Sequence, residues 1–105
     1  MQGLHLTADL TDCQCEPAWL TDAVRLVERC LSEVNGAGLQ AVSQLAHTFV
    51  HTWPEQAGVT VDEYLCNFGG DHSTKAHALM DALVALFAPQ RVLRQALARG
   101  CVAVG

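Results

Sequence analysis

Cationic side chains are scarce in this 105-residue chain: six Lys and Arg stand against eleven Asp and Glu, for a net charge of -5. That balance excludes the basic footprint with which proteins hold nucleic acid or an anionic membrane surface. Long apolar runs are missing as well. Nothing approaches the roughly eighteen residues of a spanning helix, and Met1-Gln2-Gly3-Leu4-His5 lacks the basic start and apolar core of a secretion signal. The expected address is the cytoplasm. Serine occurs only as Ser32, Ser43 and Ser73, and none of the three follows a glutamate. The five cysteines are an odd number without framework spacing, so in a reducing compartment they read as free thiols. Cys13-Gln14-Cys15 has no second pair at zinc-finger spacing, and His72 and His77 stand five residues apart rather than four. No metal site is expected.

What is present is a chain half apolar and only 16% charged, the composition of one ordered globular domain over residues 1–105. So high an apolar fraction in so short a chain points to surface buried against a partner subunit. From Leu4 to Leu10 apolar residues alternate with His5, Thr7, Asp9 and Thr11, the pattern of a half-buried strand. Pro17 suits a first helical position, and Leu20, Val24, Val27, Leu31 and Val34 then recur as one apolar stripe, ended by Asn35-Gly36-Ala37-Gly38. Cys30 beside that stripe reads as a small buried hydrophobe. Leu39 to Thr52 reads as extended. Pro54 cannot donate to a sheet ladder, so the chain leaves the sheet there.

Val59 to Cys66 is a second clear strand, with Val59, Val61 and Leu65 on one side and Thr60, Asp62, Tyr64 and Cys66 on the other. Asn67-Phe68-Gly69-Gly70 is a turn, and Asp71 or Ser73 caps a helix carrying Ala76, Leu79, Met80, Leu83, Val84 and Phe87 as far as Pro89. Beyond it, Val92, Leu93, Ala96 and Leu97 have helical spacing.

His51-Thr52-Trp53-Pro54-Glu55, Val61-Asp62 and Cys66 together resemble the signature of the bacterial S-adenosylmethionine decarboxylases, pyruvoyl enzymes of spermidine synthesis. Gly3-Leu4-His5-Leu6-Thr7-Ala8-Asp9 through Cys13 is similar to their first strand, Asp22 to Val34 to their first helix, and Gly38-Leu39 with His47-Thr48-Phe49 to their second strand. The resemblance covers nearly the whole chain. It implies an α+β two-layer sandwich, a mainly antiparallel sheet with two helices on one face, and a strand rather than a helix at 91–99. It also implies roles: His51 and Cys66 as catalytic groups, Glu55 and Phe49 as substrate-binding groups on the ribose hydroxyls and adenine ring. Imidazole and thiol ionise near enough to neutral pH to be tuned for proton transfer, and a carboxylate accepts two hydroxyl hydrogen bonds. His47 and His51, about 13 Å apart along an extended strand, are too far apart to share one metal ion.

One departure governs the functional expectation. The family makes its pyruvoyl group by cutting its own backbone between a Glu and a Ser, five residues before the signature His; here Leu45-Ala46 occupies that place. Alternatively, if His47-Thr48-Phe49 closes the second strand, the strand bearing Glu-Ser is missing altogether. Either way the pyruvoyl cofactor is expected to be absent. The leading expectation is a protein that binds an adenosylmethionine-like small molecule, as a homodimer or as a regulatory subunit paired with a paralogue. The competing one is an enzyme with repurposed acid–base or nucleophilic chemistry at Cys66 and His51 on a sulfonium, amino-acid or amine substrate.

Overall fold

The computed structural model describes residues 3–36, 46–66 and 73–99. Its elements follow the alternations of the sequence. Strand β1 (Gly3–Cys13) leads through a short helix α1 (Ala18–Thr21) into α2 (Ala23–Gly36). Then come β2 (Ala46–Trp53), a 3-10 turn over Pro54–Gln56, β3 (Gly58–Cys66), α3 (Ser73–Phe87) and β4 (Pro89–Arg99). The four strands form one antiparallel sheet in the order β2-β3-β1-β4.

Period-two alternation sends Leu6, Ala8 and Leu10 of β1 and Val59, Val61 and Leu65 of β3 to the helix-covered side, where they are buried. Ala76, Leu79, Met80, Leu83 and Phe87 of α3 pack onto them and are fully enclosed, so α3 supplies most of the second layer. Each of these large apolar side chains contributes roughly 1.5–3 kcal/mol by leaving water. Ser73 begins α3 as expected; Asp71 and the 67–70 turn lie outside the described residues. At the far end of the sheet the Cys13 N–H donates to the Ala57 carbonyl and the Gln14 N–H to the Ala88 carbonyl, both at 2.9 Å. Those bonds tie the end of β1 to the turns that precede β3 and β4.

The first helical stretch departs from its expected roll. Leu26 is its buried apolar side chain and Cys30 is half-buried, whereas Val24, Val27 and Leu31 are 68%, 57% and 57% exposed. The cause is a break at Asp22, whose extended backbone (φ -107°, ψ 98°) separates α1 from α2. Its Oδ1 accepts from the Val24 and Arg25 N–H groups at 3.1 and 3.2 Å, which caps a new helix with its own phase. The side chain of Val34 lies outside the described part, as do residues 37–45, where extended chain was expected.

Residues 91–99 form a strand, not a helix. Ala88 turns left-handed (φ 45°) to end α3, and β4 then pairs with β1 from Cys13↔Pro89 to Gly3↔Arg99. A ladder of that length outweighs the helical spacing of four apolar residues, because period is a local preference and pairing a tertiary one. Pro89 opens the strand, where its missing N–H is tolerated.

Candidate functional site

Helices cover one side of the sheet. The other side is left open by the described residues, and register assembles it from rows of facing residues: Phe49, Asp62 and Thr7 in one, His51, Thr60 and Asp9 in the next. In the opposite direction lie Tyr64 and His5, then Cys66, Gly3 and Arg99. The polar sides of β1 and β3, each recognisable separately in the sequence, therefore join the facing residues of β2 and β4 in one surface. On it a cleft of about 420 Å³ is lined by His5, Phe49, His51, Asp62, Tyr64 and Arg99.

Contacts within the cleft fix its polar wall. His5 Nε2–H donates to Asp62 Oδ1 at 3.2 Å, and the His5 ring meets Tyr64 edge-on with centroids 6.2 Å apart. The absence of a side chain at Gly3 makes room for that phenol: a Cβ there would lie 2.5 Å from the Tyr64 Oη and 2.9 Å from its Cζ. His51 stacks on Trp53 at 6.1 Å, and Phe49 is 59% exposed, leaving an aromatic ring face free beside Asp62.

Of the residues expected from the sequence, Phe49 and His51 line this cleft. Glu55 stands outside it, exposed on the 3-10 turn beyond the end of β2. Cys66 closes β3 in the row of Gly3, while His51 pairs with Thr60 six residues earlier. At the rise of a strand that is about 20 Å along the sheet. Within one protomer the backbone does not bring His51 and Cys66 together. Asp62 stands in the signature and His5 in the first-strand resemblance, but neither was given a role from the sequence, and Tyr64 and Arg99 were given none either; the alternation marked the polar sides of the strands bearing His5, Asp62 and Tyr64, and only strand pairing shows that they converge.

The covered side holds a group of a different kind. Glu63 is 1% exposed, faces the helices, and among the described residues neither carboxylate oxygen has a hydrogen-bond partner. Burial raises its pKa to about 8, with the Arg94 guanidinium partly offsetting the rise. The rise favours the protonated form at neutral pH. Near it, a cavity of about 500 Å³ between α2 and β2 is lined by Trp19, Leu26, Val27, Thr48 and Val50 among others. β2 thus contributes alternate side chains to cavities on both sides of the sheet.

The sequence profile of the S-adenosylmethionine decarboxylase family matches residues 30–100. This chain belongs to the S-adenosylmethionine decarboxylase family. It is 31% identical to the S-adenosylmethionine decarboxylase proenzyme of Aquifex aeolicus, over 95% of this chain and 82% of that one. To the corresponding proenzyme of Pyrobaculum islandicum it is 40% identical, over 86% and 82%. The crystal structure of the Aquifex aeolicus adenosylmethionine decarboxylase superposes with a TM-score of 0.73 at 27% identity, covering 95% of this chain and 92% of that chain. The expected α+β sandwich with helices on one face of an antiparallel sheet is thereby borne out. The Aquifex alignment spans 115 positions against a chain of 105 residues, so at least ten have no counterpart here. The family member is a shortened one.

Among the described residues no helix is long and apolar enough to cross a membrane.

Proposed function

We propose that this protein is a non-decarboxylating member of its family, acting in the cytoplasm and in polyamine metabolism, that binds an adenosylmethionine-type ligand in the cleft on the open face of its sheet. The observation that carries this reading is the combination of a retained signature with Ala46 as the first residue of β2, five positions before His51. A pyruvoyl group is made from a serine that follows a glutamate, and no such pair occurs in the chain. Ser32 lies on α2 and Ser73 at the start of α3, each in a different element from the signature strand. The residues present therefore do not fit the family's prosthetic group. Without it, imidazole, thiol and carboxylate have no means of delocalising the carbanion left by departing carbon dioxide.

Three features support the binding role. Phe49 offers an exposed ring for a purine, His51 stacked on Trp53 extends that aromatic floor, and Glu55 on the adjoining turn is free to accept from ribose hydroxyls. We place a second copy, or an active paralogue in a regulatory pairing, over the same face. Phe49 and Trp53 on one edge strand and Leu93 and Leu97 on the other are large apolar side chains exposed there, which a facing partner would cover. A facing protomer also removes the 20 Å separation of His51 and Cys66, since the Cys66 end of one sheet can meet the His51 end of the other across a twofold axis. The repurposed-enzyme reading needs that same meeting, because the pair is not formed within one chain.

Intact-mass spectrometry with calorimetry tests the proposal. The expected result is one uncut chain near 11.3 kDa that gives heat on mixing with adenosylmethionine and releases no carbon dioxide. Two fragments with a pyruvoyl mass, or labelled carbon dioxide from the substrate, would refute it. Turnover of another substrate that is lost in Cys66→Ala would favour the enzyme reading.

A further inference from the structure

The cleft is graded along its length. At one end stand the exposed Phe49 and His51, the latter stacked on Trp53 just beyond the lining. Next, directly across the β2–β3 ladder from Phe49, comes Asp62. Beyond Asp62 are Tyr64 and then Arg99, which pairs with Gly3 on the far side of β1. The order is aromatic, anionic, cationic.

Two features make Asp62 and Arg99 receptive. Asp62 Oδ1 is engaged by His5, which fixes the carboxylate, and the side chain is 39% exposed, so it can accept from a further donor. Arg99, unlike Arg25, Arg29 and Arg94, has no carboxylate partner among the described residues, although it lines the cleft. Tyr64, whose phenol occupies the space over Gly3 beside the Arg99 main chain, adds a hydroxyl donor at the same end. One carboxylate and one planar guanidinium, spaced along a groove that begins with aromatic rings, match a zwitterionic α-amino-acid head at the end of an aromatic or purine body.

We propose that Asp62 holds the ligand's α-ammonium and Arg99, with Tyr64, its α-carboxylate, so that the cleft selects the intact amino acid over the decarboxylated amine. This deepens the binding role proposed above and rests on it. It also gives that role a direction. A site that grips the carboxylate retains the substrate form and releases the product form, as a sensor of substrate level would require. His5 is a positioning residue for Asp62.

Calorimetric titration of the full-length chain with adenosylmethionine and with decarboxylated adenosylmethionine separates the possibilities. Wild type is expected to bind the amino acid about 10- to 100-fold more tightly, the range of a charge-assisted bidentate pair. Arg99→Gln should abolish that preference by weakening only the carboxylate form, leaving affinity for the amine within about threefold. Asp62→Asn should weaken both ligands. Equal wild-type affinities, or an equal loss of both ligands in Arg99→Gln at unchanged Tm, would overturn the assignment while leaving ligand binding standing. No heat with either ligand would overturn the binding role itself, and this inference with it.

Discussion

The two sides of the sheet are made from the same strands and behave as different materials. On the covered side β1 and β3 present Leu6, Ala8, Leu10, Val59, Val61 and Leu65 to α3, and all are buried. On the open side the intervening residues of those strands and of β2 and β4 present His5, Asp62, Tyr64, His51 and Arg99 to a cleft. Alternation alone separates stability from recognition, because a strand's neighbours in sequence face opposite ways. Changes to one side should therefore leave the other largely untouched, except at Glu63, the one ionisable side chain among the described residues that is fully enclosed with the apolar core.

Phe87→Ala should break the contrast most severely. Its ring is fully buried beneath the sheet, and truncation should cost about 3–5 kcal/mol in denaturant unfolding, while Trp53→Ala on the open side should cost under about 1 kcal/mol. Equal losses would mean that the open side is as much core as the covered one.

Glu63→Leu should sharpen the contrast by removing its exception. The carboxyl titrates near 8 in the folded chain against an ordinary value of 4.5, so between those pH values the folded state binds more protons than the unfolded one. Its contribution is therefore harmless below about pH 4.5, grows more destabilising as pH rises, and levels off above about pH 8. At pH 7 the penalty is about 3 kcal/mol, and Glu63→Leu should regain that order of stability. The difference between variant and wild type should shrink on acidification to pH 4.5, measured by urea unfolding across that range. A gap independent of pH would show that packing, not ionisation, distinguishes the two.

A smaller effect is expected at Gly3→Ala. The added Cβ meets the Tyr64 phenol, a side-chain end that can swing aside, so stability should fall by about 1 kcal/mol. Ligand affinity should fall further, since the displaced phenol stands at the Arg99 end of the cleft. A loss of stability with unchanged affinity would separate Tyr64 from the site.

How much of this was legible in advance differs by element. β1, β3 and α3 were readable because each carries an unbroken period and a single buried side. α2 was readable as a helix, but its roll was not, because Asp22 restarts the helix and puts Leu26 rather than Val24 and Val27 inward. β4 has a helical apolar spacing that pairing with β1 overrides. His51 was assigned a role from the signature and Phe49 from the second-strand resemblance, whereas Asp62, although within the signature, and His5, Tyr64 and Arg99 were assigned none, since their nearness depends on which strands adjoin. Glu63 shared its side of β3 with Val61 and Leu65 from the start. That this side is sealed by α3 is a matter of packing.

By itself the sequence determined the family, the alternation of the strands and the absence of any serine that follows a glutamate. These are local facts, carried by residue identity and spacing along the chain. The tertiary structure decided which strands adjoin, and so which polar edges fuse into one cleft and how far His51 lies from Cys66. It also decided that an ordinary glutamate favours its protonated form at neutral pH. Proximity and solvation belong to the packed chain, and no residue carries them alone.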